Sequence, residues 1–557
     1  MFRLFSTILL CLVVPPALIV ACGSEGASKN LSDDDTGLAF GDDTSTDDTT
    51  PDGVDDASGD DTGGDGPVKV IYDYFLIDGT PAPPNPVTGA ETPDEFNKIP
   101  IFRFRADTHG FGPRPVNAIF IIQAGFIAGA NQMFFIARNL VELSGGAVEV
   151  WIPERRHTLL EDQLGMDTAE ALKNPYIAYD YYFEDGVIDG KTYTPPDPYG
   201  PDTDMMSEWG LDIWMHDLRR VIDLIPEEYH RTNVFLAGDS RGVAFTQAFA
   251  AYEFEDGKIG ADDLTGLICW DGGVRTNPDL DKNLYLLDIW EIRRGLLSRT
   301  VNVDIESSWF MEIFGMISSE GMGDPDDPTL GPDGFFPTYG PFEGLFPFLT
   351  RWHDVRVTNE SFIGLVLDSD YMPYPKFMGH LGQLTGPEIK RDIFGYYPAQ
   401  DGGTYSWLRW NECTPREFVD IQKLARMLYE GPSNFTDFHY SARLDLDLQA
   451  ADFFETEGTW RHDYFHFYTS RVDVPVFAIV SKLYAGLDLM EKFRNEIAPV
   501  RGTNGPRDDE SFKLIYKTDW SHLDAIAVEL TKNDVLPGLL DWIGNWSSGQ
   551  ITIPAIE

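Results

Sequence analysis

Val234-Phe235-Leu236-Ala237-Gly238-Asp239-Ser240-Arg241-Gly242-Val243-Ala244 is the stretch from which the fold is read. An apolar run of strand character enters Gly-x-Ser-x-Gly, and small residues of helical character follow. A serine on so sharp a strand-to-helix turn needs glycine two positions to either side, because a Cβ there would meet the neighbouring strand or helix. The turn lifts the hydroxyl to the C-terminal edge of a parallel sheet, where ligands bind in open α/β folds. The bland alternative is a tight turn carrying an idle serine.

Working outward, strand-like runs fall at Val68–Ile77, Ile101–Arg105, Asn117–Ile122, Val148–Ile152, Asn233–Ala237, Leu267–Trp270, Val474–Val480 and Phe512–Tyr516. Segments of helical period lie between several of them: Asn131–Leu143, Leu211–Ile225, Val243–Ala251 and Ala525–Leu530. In the clearest, Leu211, Trp214, Leu218, Val221, Ile222 and Ile225 share one face. Strands alternating with helices mean a mostly parallel, doubly wound α/β sheet covered on both faces. The alternation is lost from Gly273 to Arg471, a stretch rich in aromatics, Pro and Gly. It reads as one inserted cap over about 274–471, too apolar for a linker.

These features resemble the α/β-hydrolase superfamily over most of residues 68–557 except the insertion. The resemblance implies a serine nucleophile at Ser240. The run Gln123-Ala124-Gly125-Phe126 after the third strand looks like the family's oxyanion loop, with Ala124 where a histidine often stands. By the same resemblance, the backbone N–H groups of Phe126 and Arg241 would hold a developing oxyanion. Ser521-His522-Leu523-Asp524, after the last strand, is similar to the family's histidine turn, and His522 alone among ten histidines follows that strand. It is the expected general base.

The acid departs from the pattern. The turn after Val474–Val480 reads Ser481-Lys482-Leu483-Tyr484-Ala485-Gly486-Leu487-Asp488, with no carboxylate directly behind the strand. Some members carry the acid one strand earlier, and here that strand ends in Asp271. Asp271 is favoured and Asp488 kept as the alternative. Glu154-Arg155-Arg156-His157 lies on the same sheet edge, where a salt-bridge role is favoured over substrate binding. The aromatics Phe335–Trp352 read equally as an acyl-pocket wall or as the cap's own core.

The N-terminus bears on address. Arg3 is the only charge before an apolar run, Leu9–Val20, interrupted by Pro15 and Pro16, which reads as a signal peptide over 1–21 rather than a membrane span. Its end, Leu18-Ile19-Val20-Ala21-Cys22-Gly23, resembles the lipobox of bacterial lipoproteins. That resemblance implies acylation (palmitate included) at Cys22, and Gly23 favours the outer membrane or cell surface over the inner membrane. An ordinary signal peptide with an incidental cysteine is the other reading. Residues 22–67, with thirteen aspartates beside Glu25 and Lys29, cannot bury a core and read as an acidic tether. Calcium binding there is disfavoured, since the spacing misses the EF-hand pattern.

A net charge of −49 argues against nucleic acid as partner. No metal or nucleotide motif is found, so no cofactor is expected. Cys269 and Cys413 are left either as a disulfide or as free thiols. The expected function is therefore a serine hydrolase acting on a small-molecule or lipid-like ester at the cell envelope. An amide or peptide substrate, or a catalytically inactive surface-binding lipoprotein, remain the alternatives.

Overall fold

The computed structural model describes residues 68–552, apart from 108–114, 302–304, 328–355, 372–377, 393–394, 400–402, 414, 452, 454–458, 483–485 and 504. The described residues belong to one compact unit, Pro67–Glu557. The expectations for 1–21, Cys22, 22–67 and Phe335–Trp352 fall outside them.

Eight strands form one sheet: β1 (Val70–Asp78), β2 (Lys98–Ala106), β3 (Ala118–Gln123), β4 (Val148–Pro153), β5 (Val234–Asp239), β6 (Gly266–Trp270), β7 (Val476–Ser481) and β8 (Phe512–Lys517). Their order is β1-β2-β4-β3-β5-β6-β7-β8. Only β2 runs against its neighbours; the pairs from β4 to β8 are parallel. This is a mostly parallel, doubly wound α/β sheet. Each strand corresponds to one of the eight apolar runs, with ends shifted by a few residues.

Alternation along the strands explains the two layers. Phe120, Ile122, Phe235, Ala237, Phe477 and Ile479 face one core, which α1 (Phe134–Leu143) and the C-terminal helix Leu536–Trp546 close. Ile119, Ile121, Leu236, Leu267, Ala478 and Val480 face the other. There α2 (Leu211–Asp223) presents Leu211, Trp214, Leu218, Val221 and Ile222, and α3 (Arg241–Ala251) presents Val243, Ala244 and Phe245. Side chains of this size each contribute roughly 1.5–3 kcal/mol on full burial, so a strand buried on both faces is held from two sides.

The segment expected to be helical at Ala525–Leu530 is shorter: one α-turn, Asp524–Ala527, then a 3-10 turn at Leu530–Lys532. The β-branched Val528 adopts an extended backbone that ends the α-turn.

The register brings the ends of the central strands to one edge. Asp239 pairs with Trp270, and Trp270 with Ile479. Ser240 and Asp271 therefore emerge side by side, and Ser481 ends β7 one residue further on. After Asp271 the chain leaves the sheet and returns only at Val476. In between it forms helices, including Lys282–Arg293, Ile305–Ser318, Ile421–Tyr429 and Ala442–Ala450, and small sheets such as Gly382–Thr385 with Thr404–Arg409 and Arg356–Val357.

Candidate active site

Ser240 sits between β5 and α3 with φ 54° and ψ −115°. A non-glycine residue held there costs on the order of 1–3 kcal/mol, so its surroundings must enforce it. The Ser240 N–H donates to Trp270 O at 2.8 Å, tying the turn to β6. The close approach is literal: a Cβ on Gly238 would lie 2.1 Å from the Gly242 carbonyl, and one on Gly242 would lie 2.2 Å from Gln123 O. The glycine spacing in the sequence is thus a packing requirement of three adjacent backbones.

Asp271, at the tip of β6, is fully buried and also has positive φ, 44°. Its Oδ2 lies 2.6 Å from His522 Nδ1. It also accepts from Ser481 N–H at 2.7 Å and Ser481 Oγ at 2.5 Å. With a carboxylate as acceptor, Nδ1 carries the hydrogen, and Nε2 lies on the far side of the ring. Burial alone would lower the His522 pKa, but the Asp271 hydrogen bond and charge, together with the Asp239 charge, push it up to about 9. Asp239, directly before Ser240, is itself buried, and burial pushes its carboxyl up to about 7. Asp239 Oδ1 has no hydrogen-bond partner among the described residues.

The loop after β3 lies against Ser240: a Cβ on Gly125 would come 3.2 Å from Ser240 Cβ. The Gly125 N–H is tied to Gln132 Oε1 at 3.0 Å. Arg155, almost wholly buried, donates to the carbonyl oxygens of Ala124 (3.2 Å), Gly125 (3.2 Å) and Ala128 (2.5 Å). From the other side the excursion between β6 and β7 pairs with the loop. Gly129 N–H donates to Phe435 O at 3.1 Å, and Asp437 N–H to Ile127 O at 2.9 Å. The half-buried Phe126 ring meets Tyr440 edge-on at 5.1 Å, and the Arg241 guanidinium lies 5.7 Å from it on its way to Asp445.

Of the sequence candidates, Ser240, Asp271, Phe126 and Arg241 share one strand edge, and His522 joins them through Asp271. Asp488 stands exposed in the first turn of the helix Gly486–Glu496. The four residues Glu154–His157 divide their tasks. Arg156 forms a buried pair with Asp217 at 2.6 Å, His157 Nε2 lies 2.6 Å from Asp437, and Glu154 accepts from Ala130 N–H at 2.8 Å. Cys269 and Cys413 are both free thiols, and burial pushes Cys269 up to about 12. Among the described residues no three His, Cys, Asp or Glu side chains gather so as to hold a metal ion, and no helix is long and apolar enough to cross a membrane.

Three contributors escaped the sequence reading. Ser481 occupies the position behind β7 where an acid was sought, and it donates twice to the acid of the neighbouring strand. Arg155 keeps an ion pair with Asp437 at 3.5 Å but gives its hydrogen bonds to backbone oxygens. His380, from the excursion, donates its N–H to Asp524 Oδ1 at 2.9 Å, and its Nδ1 lies 2.5 Å from Asp524 Oδ2. Only Ser481 left a signal, as a hydroxyl in place of the expected carboxylate.

No family model matches the sequence, and no curated protein does. Solved structures do align with it. A candidate lipase from Sulfolobus solfataricus is 13% identical, over 86% of this chain and 94% of that one, with a TM-score of 0.42. An epoxide hydrolase from Vigna radiata is 10% identical, over 85% and 98%, with a TM-score of 0.35. A soluble variant of monoglyceride lipase from Saccharomyces cerevisiae is 11% identical, over 81% and 93%, with a TM-score of 0.34.

Proposed function

We propose that this chain is a serine hydrolase that cleaves a carboxylic ester through an acyl-enzyme. The observation that carries the reading is the bond between Asp271 and His522, on the sheet edge where the strained turn presents Ser240. Asp271 fixes the tautomer in which His522 Nε2 is the basic nitrogen, and it stabilises the imidazolium that forms when that nitrogen takes the Ser240 proton. Ser240 Oγ then attacks the ester carbonyl. The amides of Phe126 and Arg241 receive the oxyanion, each donor worth about 3 kcal/mol of barrier. The tetrahedral intermediate collapses, the alcohol leaves with the proton from His522, and a water activated by the same imidazole releases the acid.

The strained turn and the three donors on Asp271 support catalysis over a purely binding role, because the Asp271 carboxylate, unlike Asp437 or Asp524 with their histidines, emerges beside Ser240 on the sheet edge. Exported, Cys22-anchored placement in the outer membrane or at the cell surface belongs to the same proposal. Its support is the lipobox-like sequence and the acidic stretch behind it.

The test is hydrolysis of short and long p-nitrophenyl esters by the full chain beside its Ser240→Ala variant, with fluorophosphonate labelling in parallel. Activity and labelling lost together in the variant support the reading. Folded wild type that neither turns over esters nor labels would favour the non-catalytic alternative. Labelled palmitate incorporated by the wild type and not by Cys22→Ser tests the anchor.

A further inference from the structure

We propose that Arg155 is a positioning residue for the oxyanion loop, holding the Gly125–Phe126 peptide so that the Phe126 N–H is turned toward the reaction centre. The inference rests on the serine-hydrolase reading above and names a residue that reading does not use.

The argument is one of peptide geometry. In a trans peptide the C=O and N–H point in opposite directions, and no cis peptide occurs among the described residues. The Gly125 carbonyl and the Phe126 N–H belong to the same peptide plane. Arg155 Nη2 holds that carbonyl at 3.2 Å from beneath the loop, so the N–H must point away from the guanidinium. Ser240 stands close to the same residue, its Cβ 3.2 Å from where a Cβ on Gly125 would lie, and we place it on the side to which that N–H points. Among the described residues the Phe126 N–H has no acceptor, whereas the preceding amide, Gly125, is already committed to Gln132.

The same guanidinium fixes the planes on either side. Nη1 holds Ala124 O at 3.2 Å, and Nη2 holds Ala128 O at 2.5 Å. Three carbonyl oxygens converging on one planar fork set the curvature of a loop that carries a left-handed residue, Ile127 at φ 47°. A hydrogen bond to a carbonyl also polarises its amide and strengthens the N–H on the other end. Arg155 is 5% exposed and lies over the Tyr440 ring at 5.0 Å. Its nearest carboxylate, Asp437, is 3.5 Å from Nε and already 2.6 Å from His157. A conventional salt bridge would place the fork on the carboxylate; here the fork is given to the loop.

Arg155→Lys keeps a cation beside Asp437 but replaces the fork with a single point donor. The expected result is a fall in kcat of about 10–100-fold with KM nearly unchanged. Affinity for a trifluoromethyl ketone, which forms a tetrahedral oxyanion on Ser240, should fall by the same factor as kcat/KM. Arg155→Met should lose about 10²–10³-fold; if it does not fold, the lysine variant and the ketone carry the test alone. A folded Arg155→Lys with wild-type kcat overturns the inference, and so does a loss of kcat with undiminished ketone affinity. Ser240→Ala is measured beside it. An active Ser240→Ala removes the underlying reading, while an inactive Ser240→Ala beside an unimpaired Arg155→Lys removes only the role of Arg155.

Discussion

His522 Nδ1 lies 2.6 Å from Asp271 Oδ2, although the two residues are 251 positions apart. The contact joins the tip of β6 to the turn behind β8 across the end of β7, whose last residue, Ser481, donates to the same carboxylate. Asp271 thus reaches His522 over one intervening strand, which itself ends in Ser481 rather than a carboxylate.

Asp271→Asn should lower kcat by about 10³–10⁴-fold in folded protein, because the amide can hold the wrong imidazole tautomer. Asp488→Asn should leave turnover unchanged, its side chain being exposed on a helix. Parallel kinetics with circular dichroism as the folding check decide between them, and a larger loss in the Asp488 variant would reverse the assignment.

The pH profile should carry the mark of the same pair. The proposed mechanism needs neutral His522, whose pKa is raised to about 9 despite burial. The acid limb of kcat/KM should therefore titrate above the ordinary histidine value near 6.5 and toward 9, activity rising with pH. For stability the sign is opposite. A base with a raised folded pKa contributes fully below pH 6.5 and loses that contribution as pH rises through about 9. The gap in melting temperature between wild type and Asp271→Asn should narrow over that interval.

Two glycine substitutions should act in opposite directions. A Cβ on Gly272 would lie 1.9 Å from Ser240 O, so Gly272→Ala must push the backbone of Ser240 itself. A loss of about 1–3 kcal/mol and of fluorophosphonate labelling is expected. Gly544, in the helix Leu536–Trp546, has nothing within 4 Å of the corresponding position. Gly544→Ala should stabilise by about 0.4–1 kcal/mol with activity intact. Thermal melts of both test the packing reading directly.

Arg156 and Asp217 form a buried pair, and Arg156 also donates to Asn97 Oδ1 at 2.8 Å and Thr80 O at 2.8 Å. Arg156→Met leaves Asp217 buried without its partner, at a cost of about 3–5 kcal/mol in a denaturant titration. The kcat of the folded fraction should stay at the wild-type value, in contrast to the adjacent Arg155.

Legibility in the sequence followed locality. The five central strands, β3 to β7, were readable because strands buried on both faces are continuous apolar runs, and the turn at Ser240 because its glycines are local and obligatory. Asp271 was readable as a carboxylate ending such a run. The role of Arg155 was not, since its partners are carbonyl oxygens, which every residue has and no motif can display. His380 and Asp524 are paired only by the tertiary path of the excursion. The backbone pairing of Gly129 and Ile127 with Phe435 and Asp437 likewise has no periodic signature.

The excursion between β6 and β7 also bears on how the molecule assembles. These strands are neighbours in the sheet, yet their parallel pairing closes a loop of about two hundred residues, and long-range parallel contacts form slowly because the closure entropy comes before any reward. All three donors on Asp271 come from chain synthesised after that loop. During refolding, β1 to β6 with their flanking helices can collapse while the carboxylate is still without its partners, so the recovery of serine reactivity should lag behind the recovery of secondary structure.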